Sequence, residues 1–387
     1  MSARARWLVL ASALLALALR AAPLRHLFSS SEQRAAGAPQ LLLTDPRTAL
    51  ELRAVEVALA QHELLLVDRA LFHPVGDVAR DAPGLSGALA LALQACGWNP
   101  LQADPSTAGA PEWLAVVLPP LWGALLVLLV ATLASRFGPP SSVVWAALAA
   151  SLWTPGSLAG QLHAGTPATL LGLAAILCFA WGLASSSDFD RVLGGVVSGG
   201  LAGLALFTSL SIWPLLLAAH VALSVRAARV RGSSARDLHR SALLHVGACA
   251  LVLATPARSS PWNLSHPGTL QALSTAWLVL VLGLGAGHGL ALFLFRRGIE
   301  ERAAIRALLP WVGALALLAY EARAALLHGL IEPAPQVLQA VWPAAAALLV
   351  PLAPRVLLLA LAASGAWSCL PRPDPGAHSS LLIALRA

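Results

Sequence analysis

Long apolar segments recur along this sequence, and they constrain its fold more than any other feature. Several of them approach or exceed the roughly 18–20 residues that cross a bilayer as an α-helix. Apolar residues make up 58% of the chain and charged residues 11%, whereas a typical soluble protein has roughly 45–50% and 25%. So few charges cannot cover a soluble globule, and the chain is too hydrophobic to be disordered. The sequence therefore predicts an all-α, polytopic transmembrane helix bundle and excludes a soluble enzyme.

The order of apolar and polar segments predicts a single membrane domain over residues 1–387 with about eleven spans. Its predicted parts are a first transmembrane helix at 1–23, an extracytosolic loop containing surface helices at 24–112, a transmembrane bundle at 113–370 and a tail at 371–387. The first helix resembles a signal peptide, but no clear cleavage site follows it, and we favour retention over cleavage. Within the bundle, the apolar runs predict spans at 113–134, 141–157, 166–185, 192–210, 212–226, 240–256, 268–295, 306–325, 338–352 and 355–370.

The basic residues predict the orientation of the chain in the membrane. The sequence has no lysine, so all 25 basic residues are arginine. Its two largest arginine clusters, at 226–240 and 296–306, fall between spans that place both in the cytoplasm if the N-terminus is cytoplasmic. We therefore expect an integral protein of a bacterial inner (plasma) membrane. The formal charge of +7 does not indicate a nucleic-acid partner, because the arginines lie between apolar runs rather than in a basic domain.

The loop at 24–112 is acidic in an otherwise basic chain. It holds ten of the 18 acidic residues. Within it, Asp45-Pro46 precedes a stretch in which Leu52, Val55 and Leu59 share one helical face, which predicts a helix resting on the membrane surface. Asp45 is suited to cap that helix, with Pro46 at its first position. The run Leu85–Cys96 is too short to span and predicts an interfacial or re-entrant element.

Several motifs occur in the order found in one family of membrane enzymes. The first loop contains LLLTDPRTALELRAVEVALAQHELLLVDRALFHPVG, in which an Asp-Pro starts a helix and a D-x-x-L-x-x-P-x-G segment, Asp68 to Gly76, follows. Further motifs are Gly160-Gln161-Leu162-His163 ahead of a span, Thr208 to Trp213 at a later span end, and Ile331-Glu332-Pro333. Over about residues 1–340 the chain resembles the transmembrane part of oligosaccharyltransferase catalytic subunits, which are GT-C superfamily membrane glycosyltransferases.

This resemblance implies transfer of a sugar from a polyprenyl-phosphate-linked donor on the extracytosolic face, a reaction of protein or lipid glycosylation. By resemblance, Asp45 and Glu332 would be catalytic, and Asp45 and His163 would hold a divalent cation, Mn²⁺ or Mg²⁺. Substrate would be bound by Arg53, Asp68, His73 and Trp213. The expected partners are the lipid bilayer and the polyprenyl-phosphate sugar donor. Such a site suits the chemistry, because a cation or an arginine stabilises the departing phosphate and a carboxylate takes the acceptor's proton.

The sequence also departs from the family pattern. The second external loop has His163 where the family has an aspartate, and it lacks the glutamate that follows. Histidine binds Mn²⁺ better than Mg²⁺. The soluble C-terminal domain with its W-W-D-Y-G motif does not occur in this sequence, which favours an acceptor other than an Asn-x-Ser/Thr peptide. These departures leave either an active smaller transferase or a degenerate descendant.

Two other functions fit the same composition. The first is a non-catalytic polytopic membrane protein on the same fold, in which Asp45 only caps a helix, His163 is an ordinary loop residue and Glu332-Pro333 ends a helix. The second is a transporter, which we disfavour because paired ionisable residues and inverted repeats are not evident in the sequence. His220, His245 and His288 lie in or beside apolar runs and are expected to form hydrogen bonds between helices. The sequence predicts no oligomeric state.

Overall fold

The computed structural model describes most of the first 296 residues. The described residues are 3–22, 46–61, 67–68, 77–78, 83–98, 110–152, 158–213, 232–259 and 275–296, with single positions between 215 and 226. The α-helices in these ranges are α1 (Ala3–Ala21), α2 (Pro46–Gln61), α3 (Gly84–Ala95), α4 (Ala110–Phe137), α5 (Pro140–Leu152), α6 (Gly165–Ala184), α7 (Asp188–Thr208), α8 (Gly232–Ser259) and α9 (Thr275–Arg296). A single 3₁₀ turn, Leu210–Ile212, follows α7.

The predicted helical membrane bundle is confirmed over the described residues. Five helices are long and apolar enough to cross a membrane, and they lie at Pro111–Phe137, Gly165–Ala184, Asp188–Thr208, Ser233–Ala257 and Trp277–Phe295. Helix α5 covers Pro140–Leu152, 13 residues that match the first part of the predicted span at 141–157, and the rest of that span lies outside the described residues. The predicted spans at 306–325, 338–352 and 355–370, the tail at 371–387 and most of 212–226 lie outside the described residues.

The helices of the bundle form two groups with separate cores. Helix α1 packs against α4 and α5 through small apolar side chains, namely Val9, Ala13, Ala16, Val127, Ala131, Val143, Ala147 and Ala150. Helices α6 to α9 enclose a second core that includes Ala168, Ala175, Ala202, Leu206, Val246, Leu253, Trp277 and Leu284. Contacts between α4 and α6 join the two groups. Because α1 buries Val9, Ala13 and Ala16 in the first core, it is an integral helix of the bundle.

Glycines allow α7 to approach its neighbours closely. Gly195, Gly199 and Gly203 form a stripe of period four, and each faces a main-chain carbonyl oxygen of α8. On the adjoining face, a Cβ added at Gly194 would lie 2.6 Å from the Cα of Gly182 on α6. Close backbone approach at small residues is the usual basis of helix association in membranes, where no hydrophobic force drives helices together.

Histidines join helices inside the second group, as expected from the sequence. The Nδ1 atom of His245 on α8 lies 2.8 Å from the hydroxyl of Ser198 on α7. The Nδ1 atoms of His239 on α8 and His288 on α9 lie 3.0 Å apart, so that one ring donates to the other. The ring of His220 meets that of His245 edge-on, with 5.6 Å between centroids. Hydrogen bonds of this kind between membrane helices contribute about 0.5–2 kcal/mol each.

Helices α2 and α3 cover one end of the bundle, which we call the capped end. Leu52, Val55 and Leu59 of α2 pack against α3, Ala115 of α4 and Leu162. The apolar face of α2 is therefore covered by protein, and α2 lies at the end of the bundle as a surface helix. Helix α3 corresponds to the predicted short element Leu85–Cys96. Between α2 and α3, Val67–Asp68 pairs antiparallel with Asp77–Val78, with Asp68 opposite Asp77.

The opposite end of the bundle carries arginines, and we call it the arginine end. Helix α4 ends there beside Arg136, and α7 and α8 begin there. The guanidinium of Arg191 near the start of α7 forms an ion pair with Asp237 near the start of α8. The hydroxyl of Ser187 accepts a hydrogen bond from the amide of Asp190 and caps α7. The described arginine-rich helix ends therefore meet at one end, as the alternating topology predicts.

Two neighbouring glycines of α7 test the close helix packing. In Gly199→Ala the added Cβ would overlap the carbonyl oxygen of His245, whereas a Cβ at Gly200 meets nothing within 4 Å. We expect Gly199→Ala to destabilise by about 1–3 kcal/mol, the usual effect of overpacking, and so to lower the thermal midpoint in detergent. Gly200→Ala is the control and should leave the midpoint unchanged or raise it, because alanine favours helix over glycine. Equal midpoints for the two variants would contradict the packing described.

Candidate functional site

A short loop at the capped end, residues 158–163, forms hydrogen bonds with three helices and contains the predicted ligand His163. Three of its backbone amides donate hydrogen bonds to three different elements. Ala159 donates to the carbonyl oxygen of Arg20 at the end of α1, at 2.9 Å, and Gly160 donates to that of Ala115 in α4, also at 2.9 Å. Leu162 donates to the hydroxyl oxygen of Thr48 in the first turn of α2, at 2.8 Å. The loop is thus held from α1, α2 and α4 at once.

The two carbonyl acceptors are available for a physical reason. The last carbonyls of a helix have no partner within the helix, so that of Arg20 near the end of α1 is free to accept. The carbonyl of Ala115 would normally accept from the amide four residues later, but residue 119 is a proline and has no amide hydrogen. Gly160 supplies the missing donor and adopts a left-handed backbone with φ of 82° to reach it.

The side chain of Arg20 stabilises the same junction. Its guanidinium donates to the carbonyl oxygens of Ala150 and Ser151, the last turn of α5, at 3.0 and 3.1 Å. Arg20 is fully buried, and Gly123 of α4 leaves the space that its side chain fills. A cation at a helix C-terminus interacts favourably with the helix dipole. Arg20 therefore joins α1, α4 and α5 beneath the loop.

His163 lies directly after the Leu162 contact and immediately before α6. Its side chain is half-buried, and its carbonyl oxygen accepts from the amide of Thr166 at 3.4 Å. The neighbouring Gln161 is an amide rather than a carboxylate and is therefore a weaker ligand for a hard cation. Among the residues that the structure describes, no three His, Cys, Asp or Glu side chains come together to hold a metal ion. The described residues alone do not form a metal site, and of the two predicted ligands they include only His163.

Three charged side chains of α2 and α4 interact near the loop. Burial by surrounding protein raises the pKa of the Glu56 carboxyl on α2, the nearby Glu112 at the start of α4 raises it further, and Arg53 lowers it. One carboxyl oxygen of Glu112 is buried without a hydrogen-bond partner. Arg53, a predicted substrate contact, is exposed on α2. An exposed guanidinium at this position has the charge and geometry to bind a phosphate.

The other predicted site residues are not all brought together. Trp213 lies after the 3₁₀ turn, with its ring 6.3 Å from that of Trp277, and lines a cavity of about 50 Å³ between α7, α8 and α9. Asp68 is described only through its backbone pairing with Asp77. Asp45, His73 and Glu332 lie outside the described residues. Of the predicted site residues, the structure describes the side chains of Arg53, His163 and Trp213.

Sequence reasoning missed Thr48 and the role of Arg20. A threonine in the first turn of a helix gives no signal of a contact with a residue 114 positions away. Arg20 follows the first apolar run, a position that indicates no contact with α5. Pro119-Pro120 within a predicted span was the available signal, because proline in a membrane helix leaves carbonyl oxygens that need another donor.

The described residues thus place a first helix in the bundle, helices α2 and α3 over one end of it, and the loop before α6 at that same end. No protein-family model matches the chain, and no curated protein matches it by sequence. Solved structures do match it, and they are oligosaccharyltransferases.

The matching structures come from Archaeoglobus fulgidus. The archaeal oligosaccharyltransferase AglB in complex with an inhibitory peptide and a dolichol-phosphate superposes with a TM-score of 0.61 and 17% identity, covering 88% of this chain and 39% of that chain. An oligosaccharyltransferase complex with Zn and sulfate gives 0.60 and 18%, covering 84% and 39%. The chain thus spans well under half the length of these proteins. At this identity the match shows the fold, and the resemblance seen in the sequence is confirmed at that level.

The carboxyl of Glu56 makes stability depend on pH in a definite direction. Because its pKa is raised in the folded protein, the folded state binds its proton more tightly than the unfolded state does. Stability should therefore fall as pH rises above the ordinary glutamate pKa of about 4 and through the raised one. In Glu56→Gln this part of the decline should disappear, and in Glu112→Gln it should shrink, because one of the two causes that raise the pKa is removed. Thermal midpoints of the three proteins across this range measure the effect, and parallel curves would contradict it.

Proposed function

We propose that this chain is a GT-C-type membrane glycosyltransferase that uses a polyprenyl-phosphate-linked sugar donor at its capped end. One observation carries the proposal. Thr48, three residues after Asp45 in the sequence, accepts a hydrogen bond from Leu162, the residue before His163. This hydrogen bond therefore joins two motifs that the family resemblance assigns to one site, although they lie 114 positions apart in the sequence. The shared fold with oligosaccharyltransferases supports the same reading.

The proposed orientation places the capped end outside the cytoplasm. Arg136, Arg191 and Arg236 lie at the opposite end of the bundle, and arginine-rich ends of membrane helices are retained in the cytoplasm. The N-terminus of α1 is then cytoplasmic as well. A lipid-linked donor in the outer leaflet would present its phosphate at the depth of the loop that carries His163. The AglB complex with a dolichol-phosphate supports a donor of this lipid class.

The proposed reaction breaks the bond between the sugar's anomeric carbon and a phosphate oxygen of the donor. An acceptor nucleophile forms a new bond to that carbon, and its proton passes to a carboxylate, for which Asp45 and Glu332 are proposed. The phosphate leaves with the electron pair of the broken bond. Arg53, exposed on α2, is proposed to bind that phosphate, since a guanidinium pairs with it bidentately. Asp68, His73 and Trp213 remain proposed substrate contacts.

A divalent cation remains part of the proposal, with Asp45 and His163 as its ligands. When bound, such an ion would stabilise the charge that develops on the leaving phosphate. A related oligosaccharyltransferase structure contains Zn and sulfate. Of these two ligands, the described residues include only His163.

A non-catalytic membrane protein on the same fold is the second candidate. It is favoured by the second loop, which has His163 where the family has an aspartate and lacks the glutamate that follows. The two candidates differ in one measurable property, the turnover of a lipid-linked sugar.

Carboxylate replacements test the proposed activity. Purified protein in lipid nanodiscs is incubated with a panel of polyprenyl-phosphate and polyprenyl-pyrophosphate sugars and membrane extract, and donor consumption is followed by mass spectrometry. We expect Asp45→Asn and Glu332→Gln each to reduce turnover at least about 100-fold, because general base catalysis is lost. Asp188→Asn is the matched control: its carboxylate is 77% exposed at the arginine end, and turnover should be unchanged.

Two results would count against the transferase. Turnover at the wild-type rate in both Asp45→Asn and Glu332→Gln would remove the proposed catalytic groups. Failure of the wild-type protein to consume any donor, while binding the same lipids, would favour the non-catalytic candidate.

A further inference from the structure

We propose that Thr48 is a positioning residue, whose hydroxyl sets the place of the His163 loop relative to α2. The inference rests on the proposed function, because it concerns the geometry of that same site. Thr48 is not among the proposed catalytic or substrate-binding residues. It acts through the loop, by accepting the hydrogen bond of the Leu162 amide at 2.8 Å.

The contact is sealed from water on both sides. Thr48 and Leu162 are each 0% exposed, and Leu162 packs among Leu52, Val55 and Leu85. In such surroundings an amide that loses its acceptor has no water to replace it. The loop must then either leave the amide without a partner or move to find another acceptor.

The position of Thr48 makes such a movement matter for the site. The helix that carries Thr48 begins at Pro46, directly after Asp45, and His163 directly follows Leu162. Consecutive Cα atoms are about 3.8 Å apart, so only short chain segments join the Thr48 contact to Asp45 and to His163. A shift at this contact therefore changes the distance between those two residues. A displacement of about 1 Å in a catalytic constellation lowers rates by as much as about 100-fold.

Thr48 also differs from the other two anchors of the loop. Ala159 and Gly160 donate to main-chain carbonyl oxygens of Arg20 and Ala115, which exist whatever the side chain. The Leu162 bond uses a side-chain oxygen, so the identity of residue 48 decides whether it forms. Its removal leaves two anchors in place, and the loop should shift rather than detach.

A graded series at residue 48 tests the proposal on the full-length protein in nanodiscs. Thr48→Val keeps the shape and removes the acceptor, Thr48→Ser keeps the acceptor, and Thr48→Cys offers a weaker one. Hydrogen–deuterium exchange of the peptide containing Leu162 is measured beside donor turnover. We expect about tenfold faster exchange and a 10- to 100-fold lower kcat in Thr48→Val, with the donor KM changed less than about threefold. Thr48→Ser should stay within about threefold of wild type in each quantity, and Thr48→Cys should fall between.

The control makes the same chemical change elsewhere. Thr132→Val removes a hydroxyl that donates to Leu128 within α4, far along the chain from the loop, and should leave exchange at Leu162 and kcat unchanged. If Thr48→Val does not fold, the comparison of Thr48→Cys with Thr48→Ser decides. Unchanged hydrogen–deuterium exchange at Leu162 in Thr48→Val overturns the proposal. Faster exchange in Thr48→Val with a wild-type kcat overturns it as well. A wild-type protein without turnover, but with faster exchange in Thr48→Val, counts against the proposed function and in favour of the Thr48 contact.

Discussion

The pairing of backbone amides with acceptors inside a nonpolar bundle is the constraint on which the rest of this structure depends. Within a bilayer an unpaired amide or carbonyl is strongly unfavourable, so helices dominate and every irregular segment needs partners from outside itself. The loop at 158–163 obtains them from three helices: the carbonyl of Arg20, the carbonyl of Ala115 left free by a proline, and the hydroxyl of Thr48. The loop's position is therefore set by where helices end or are interrupted.

The same constraint explains why the two helical groups are built differently from soluble cores. Alanines and glycines fill the contacts between helices. Lipid tails are as apolar as the side chains, so no hydrophobic effect drives the helices together and the attraction must come from close packing. The stripe Gly195, Gly199 and Gly203 brings α7 against α8, and buried hydrogen bonds such as Ser198 to His245 add to that contact. Arg20 is a charged residue among the buried side chains that the structure describes. Its burial is tolerated because its guanidinium donates hydrogen bonds to the carbonyl oxygens of Ala150 and Ser151 in α5. These rigid contacts give the capped end a stable platform.

The parts of the fold that were predicted correctly are those governed by local composition. Apolar runs predicted α4, α6, α7, α8 and α9 to within a few residues at most ends, and the alternating topology predicted that the arginine-rich ends meet. For α2 the sequence predicted the helix but not what covers it. Its apolar face is equally compatible with lipid and with protein, and only the position of α3 and Leu162 shows that protein covers it. At the site, His163 and Arg53 were proposed from motifs, whereas Thr48 and Arg20 act through distant partners that no local pattern encodes.

The sequence by itself determined that this chain is a helical membrane bundle, because hydrophobicity and span length are properties of segments. It also determined the order of the motifs that resemble a glycosyltransferase. Only the tertiary structure decided that the first turn of α2 and the loop before α6 are joined, that α1 belongs to the bundle core, and that α2 is covered by α3. These facts depend on hydrogen bonds and side-chain packing between residues that are distant in the sequence, 114 positions apart for Thr48 and Leu162, and such contacts have no periodicity along the chain.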